Sequence, residues 1–215
     1  MTETYVKETI VRVEKCRETG RTLSICRFVN GVLHADETPA RLTFDPVSGV
    51  LRREEWMHHG KLFRVGGPAM TDWDPSGRTA HYQRWVAAGG DHRDGGPAQI
   101  DRDVETGMIT HERFFQHGVE HNPAGPSMIE RDAKTGVAVT EEWRQCGMLT
   151  REGDFPAVVQ RSPSGTVLRE EYWQDGRRHR AHGPAVIDRQ ADAKTPVFAH
   201  YRFGLLQNVP GLKHS

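Results

Sequence analysis

Seven glycines divide the chain into equal lengths. They stand at Gly31, Gly60, Gly89, Gly118, Gly147, Gly176 and Gly204, spaced 29 residues apart five times and then 28. A period of that size means that one supersecondary structure is used repeatedly, each copy burying its apolar side against its neighbours. Other residues keep the same interval. Eight positions after each glycine comes a proline and a small residue, at Pro39-Ala40, Pro68-Ala69, Pro97-Ala98, Pro126-Ser127 and Pro184-Ala185, with Pro156-Ala157 displaced by one. A second glycine closes an Asp/Ser-rich turn at Gly49, Gly77, Gly107, Gly136 and Gly165; Gly20 precedes them and Thr195-Pro196 takes the place in the last repeat. Four residues before each main glycine runs a mostly aromatic column of Trp56, Trp85, Phe114, Trp143 and Tyr172, with Arg27 and His200 at its ends.

Two turns per repeat imply two strands, because the runs between them are too short for helices and the turns carry the Asp, Ser and Gly that hairpins need. After the proline, alternate positions are small or apolar, as in Ala40/Leu42/Phe44, Ala98/Ile100 and Ala157/Val159, while Gln99, Asp101 and Gln160 intervene. That period of two is the strand signal. The expected fold is all-β: an elongated, twisted antiparallel meander of about seven tandem β-hairpin repeats with a period of about 29, a single array over residues 5–206 starting near Tyr5, and a tail over 207–215. Folding each hairpin symmetrically about its turn sets Trp56 opposite Thr38, Phe114 opposite Gly96 and Trp143 opposite Gly125. On that register the small residues let the aromatic ring approach the backbone. The degenerate terminal repeats read as caps, which favours a monomer, while pairing through Val6 to Val13 or through Phe198 to Phe203 would give an edge-strand dimer.

Composition narrows the function. Lysine plus arginine, at 29, equals aspartate plus glutamate, so no global field holds nucleic acid, and none is expected as a partner. Only 36% of residues are hydrophobic, which forecasts a sparse core. Three cysteines, Cys16, Cys26 and Cys146, without Cys-x-x-Cys spacing, point to reduced thiols rather than a disulfide framework. No signal core or membrane-length apolar run stands out, and a cytoplasmic location is the default.

The stretches Gly89-Gly90-Asp91-His92-Arg93-Asp94-Gly95-Gly96-Pro97-Ala98 and Gly176-Arg177-Arg178-His179-Arg180-Ala181-His182-Gly183-Pro184-Ala185 resemble the membrane occupation and recognition nexus (MORN) repeat, in its bacterial and viral Gly-x-x-His-Arg-x-x-Gly-Pro-Ala form. The resemblance covers about residues 5–206, although the period is longer than in the usual MORN unit and its Tyr-x-Gly start is missing. It implies an interaction platform, sometimes linked to membranes, with antitoxin-like relatives.

The residues singled out for binding are Trp56, Trp85, Phe114, Trp143, Tyr172, His92, Arg93, His179 and Arg180. The histidine column three after the main glycine, His34, His92, His121 and His179, reads as a structural ladder: members one repeat apart stand roughly 9 to 10 Å apart, too far to share a zinc. His58, His59, His81, His111 and His117 show no ligand spacing, so neither metal nor cofactor is expected. The acidic pairs Glu54-Glu55, Glu141-Glu142 and Glu170-Glu171 send their members to opposite faces of a strand and read as partners for arginines such as Arg102, Arg131 and Arg161, not as an acid/base pair. No nucleophile elbow, phosphate loop or dinucleotide fingerprint occurs. The expected function is therefore non-catalytic binding of another protein, with an immunity or antitoxin-type inhibitor as its narrower form. A peripheral adaptor at membrane lipids, working through Arg177-Arg178-His179-Arg180, is the alternative, and a hydrolase using Glu and His the third reading.

Overall fold

A computed structural model describes residues 8–189 and 195–207. The array's expected start near Tyr5, the first residues of the edge at Val6, and the tail beyond Gln207 lie outside them. Among the described residues every regular element is a strand, and no helix is long and apolar enough to cross a membrane. The chain forms two compact halves, Met1–Met108 and Ile109–Ser215.

In the N-terminal half, Thr9–Lys15, Thr22–Val29, Arg41–Phe44, Leu51–Glu55, Met70–Trp73, Ala80–Arg84 and Gln99–Arg102 follow one another across a sheet, each antiparallel to the next. The C-terminal half repeats the plan with Ile109–Arg113, Met128–Arg131, Ala138–Glu142, Val158–Arg161, Val167–Glu171, Val186–Asp188 and Val197–Ala199. The antiparallel hairpin meander is as expected. Each glycine loop adds a feature beyond the two strands forecast per repeat: a second, tiny hairpin such as Met57–His58 with Lys61–Leu62, or Arg144–Gln145 with Met148–Leu149. At its tip His59 and Gly60 take φ values of 48° and 76°, the paired left-handed conformation of a two-residue hairpin turn, and Cys146-Gly147 does the same.

Four of the long hairpins turn on an aspartate, Asp45, Asp74, Asp103 and Asp132, and Ser162 takes that place in another. The Asp45 carboxylate accepts hydrogen bonds from the Val47 and Ser48 amides and the Ser48 hydroxyl, and Asp103 and Asp132 repeat the arrangement with Thr106 and Thr135. Gly49, at φ 77°, then returns its N–H to the Asp45 carbonyl, and a bulge between Thr43 and Phe44 moves the register. This bulge overturns the symmetric folding expected from the turn. Arg41 pairs with Glu55, and Met128 with Glu142, so Trp56 comes level with Ala40 rather than Thr38, and Trp143 with Ser127 rather than Gly125.

Hydrogen bonds to the Ser48, Thr106 and Thr135 groups hold the carboxyls of Asp45, Asp103 and Asp132 below their usual range, and the Ser76 hydroxyl with the Thr79 amide does so strongly for Asp74. A carboxylate whose folded pKa is depressed stabilises the fold above the unfolded value, near 3.9, and loses that contribution as pH falls through the folded value. The urea midpoint should therefore hold steady from pH 7 to 5 and fall progressively below about pH 4, with Asp74→Asn flattening that fall. A midpoint unchanged down to pH 2 would contradict this account of the turns.

The core is as thin as composition forecasts. Ala40, Ala69, Ala98, Ser127, Ala157 and Ala185 are completely buried, and few larger side chains join them. Each of these small residues ties two repeats together. Ala157 donates its N–H to the Glu171 carbonyl in its own hairpin, while its carbonyl accepts the N–H of Trp143 from the repeat before. Ala69 stands in the same way between Arg84 and Trp56, and Ala185 between Ala199 and Tyr172.

Candidate interaction surface

The aromatic column lies on the same sheet face as the small residues, and arginine covers it. The Arg64 guanidinium carbon sits 3.8 Å from the Trp56 ring centre, Arg93 4.0 Å from Trp85, Arg151 3.8 Å from Trp143 and Arg180 3.7 Å from Tyr172. This is cation–π geometry. Each guanidinium also donates from Nη1 to a proline carbonyl: Arg64 to Pro68, Arg93 to Pro97, Arg151 to Pro156 and Arg180 to Pro184. The Gly-x-x-His-Arg-x-x-Gly-Pro pattern is thus a stack of ring, guanidinium and peptide carbonyl.

The glycine before the proline has a different reason from the one expected. A Cβ at Gly67 would lie 3.0 Å from the Arg64 guanidinium carbon, and one at Gly96 3.2 Å from that of Arg93. The small residue admits the arginine, not the ring. Two repeats reach the same carbonyl by substitution. Asn122 stands where the arginine would be above Phe114 and donates its amide to Pro126, and Arg27, in the aromatic column itself, donates to Pro39 where Ala35 offers nothing.

Of the arginines forecast as partners for the acidic pairs, only Arg161 takes that place, binding Glu141; Arg131 binds Glu112 at 3.1 Å instead, and Arg102 finds Gln83 at 2.7 Å. Members of two acidic pairs have separate partners: Glu141 takes Arg161 and Glu142 takes Arg144, while Glu170 takes Arg189, and Glu171 takes Arg169, Arg178 and the Trp173 indole N–H. Burial pushes the Glu171 carboxyl up, but the hydrogen bond from Arg169 and the charges of Arg178 and Arg169 outweigh it and hold the group below its usual range.

The histidine column is a ladder in a specific sense. His34, His121 and His179 each accept, at Nδ1, the amide N–H of the left-handed residue in the next hairpin tip: His59 at 3.2 Å, Cys146 at 3.2 Å and Phe203 at 3.3 Å. His179 also stacks on the Phe203 ring at 4.1 Å, and His92 pairs with Asp94 at 3.3 Å. One expectation fails here. His58 and His59 do not stand apart; the tip turn folds them onto His34, with ring centres 4.6 and 4.9 Å from it.

Of the residues chosen for binding, Tyr172 is buried at 7% exposure, Trp56, Trp85, Phe114 and Trp143 are half-buried, and Arg93 and Arg180 are engaged in the stack. No protein family, curated protein or solved structure matches the chain.

What alternation and spacing alone missed is the row of hairpin tips. In the C-terminal half, Val119, Met148 and Leu205 each follow a tip glycine and are 44%, 46% and 72% exposed, with Phe203 at 55%. Consecutive tips are joined by backbone: Gly147 donates to the Glu120 carbonyl, Gly176 to Leu149 and Gly204 to Arg178.

Proposed function

We propose that the chain is a non-catalytic protein-binding module whose contact surface is the ladder of hairpin tips. The observation that carries this is the exposure of Val119, Met148, Phe203 and Leu205 along that ladder, since apolar side chains held out on an ordered frame usually mark a partner site. The frame supplies preorganisation: the tips are cross-linked by backbone hydrogen bonds, so little conformational freedom is lost on binding. The resemblance of Gly89 to Ala98 and of Gly176 to Ala185 to MORN repeats agrees with a platform role, and an inhibitor of the immunity or antitoxin kind is the narrower form of this reading.

Two observations weigh against the other readings. The carboxylates that a hydrolase would need are bound by arginine, as at Glu55–Arg41, Glu141–Arg161 and Glu170–Arg189. In the basic run that a lipid adaptor would use, Arg178 is paired with Glu171, Arg180 with Asp154, and His179 with the Phe203 amide.

Affinity capture by the tagged chain at low and high salt tests the proposal against a Met148→Asp variant. A protein retained at high salt by the wild type and lost by the variant, with unfolding unchanged, is the expected result. Capture that is identical in both, or binding only to anionic vesicles that vanishes with salt, would overturn it.

A further inference from the structure

We propose that His34, His58 and His59 form a binding site for a divalent transition metal ion of the zinc class. The idea is independent of the protein-binding reading, and it concerns the N-terminal half alone. One ligating nitrogen from each of the three imidazoles lies within 4.8 Å of the others. The rings of His58 and His59 are 4.3 Å apart centre to centre, so the three pack as one group.

The anchor is already oriented. His34 is buried at 5% exposure, and its Nδ1 lone pair points at the turn that carries the other two histidines, because it accepts the His59 amide N–H there. A neutral ring that accepts at Nδ1 carries its proton on Nε2, and that nitrogen stands 3.1 Å from Asp36 Oδ1. Carboxylate to Nε2–H, with the opposite nitrogen turned toward a cluster of further imidazoles, is the outer-shell arrangement that fixes metal-binding histidines. An ion at Nδ1 replaces one backbone hydrogen bond, and the His59 amide, exposed at the tip, is left to water.

The other two ligands have the mobility to close the site. Tetrahedral zinc with nitrogens at 2.0–2.1 Å requires ligand atoms about 3.4 Å apart. Side-chain rotation of His58 and His59, both exposed, covers the difference. Three imidazoles without thiolate suit zinc(II), copper(II) or nickel(II) rather than calcium or magnesium, with water completing the coordination. The ladder alone does not account for the cluster. His121 and His179 accept the same amide bond, but the tips facing them carry Gln145-Cys146 and Arg202-Phe203, not a pair of histidines.

The test uses the full-length chain without a histidine tag, stripped of metal and titrated with zinc(II) against a chromophoric chelator, while thermal unfolding is followed with and without the ion. One saturable equivalent that raises the unfolding temperature is expected. The His58→Ala/His59→Ala double variant should bind roughly tenfold or more weakly, at least the loss that removing an outer-shell partner causes, and lose the thermal shift. Both positions are exposed, so its metal-free unfolding should match the wild type, whereas His121→Ala should bind as the wild type does. Absence of saturable binding by the wild type, or wild-type affinity in the double variant, would overturn the proposal.

Discussion

Replacing Tyr172 by alanine should destabilise the chain by about 3 kcal/mol, the cost of deleting a buried aromatic ring. The ring is 7% exposed and packs with Ala185 and Ile187, with Tyr201 against the cluster. Arg180 lies 3.7 Å above it and is held there by Asp154 and the Pro184 carbonyl. Deleting the ring therefore removes apolar burial and leaves a guanidinium roof over a void. Tyr172→Phe keeps the ring and should stay close to the wild type. Urea unfolding of the three proteins, followed by tryptophan fluorescence, measures both effects; a loss well under 1 kcal/mol for Tyr172→Ala would mean that the cluster is not a core.

The second large effect is expected from the opposite change. Ala157 is completely buried, with its N–H and carbonyl both committed to neighbouring strands, so its Cβ has backbone on either side and no freedom to withdraw. Leucine at this position adds three carbons to a site without space and should cost about 1–3 kcal/mol by overpacking. The damage should spread to the joint with the preceding repeat, because displacement of residue 157 pulls its carbonyl from the Trp143 amide. Hydrogen exchange at the Trp143 amide reads this directly. Ala157→Leu with wild-type stability and unchanged protection there would refute the account of the joint.

Much of the fold was legible because its chemistry repeats. Pro-Ala at the strand entry, alternation after it and an Asp-to-Gly turn specify a hairpin, and their period makes it a meander. Register was not legible, since the bulge beside Phe44 is dictated by where the turn's αL glycine falls and not by symmetry about the turn. The arginine stack was within reach. Arg64, Arg93, Arg151 and Arg180 all occur in repeats that hold a ring, and the repeat of Ala35, with Arg27 in the aromatic column, lacks both, while Asn122 replaces the arginine over a ring that stays, Phe114. No single column shows it, because the physical unit is a ring in one column, a cation in a second and a carbonyl in a third. The histidine cluster escaped for a related reason. Distances measured down one column say nothing about a tip that folds back from the next repeat.

The joint between repeats also carries a direction in time. The aromatic amide of each repeat is satisfied by a carbonyl that follows it in the chain: Trp56 waits for Ala69, Trp85 for Ala98 and Tyr172 for Ala185, an interval of 13 residues in each case. On the ribosome, a repeat emerging from the exit tunnel is thus incomplete until the start of its successor is also outside, so no repeat can close its last joint on its own.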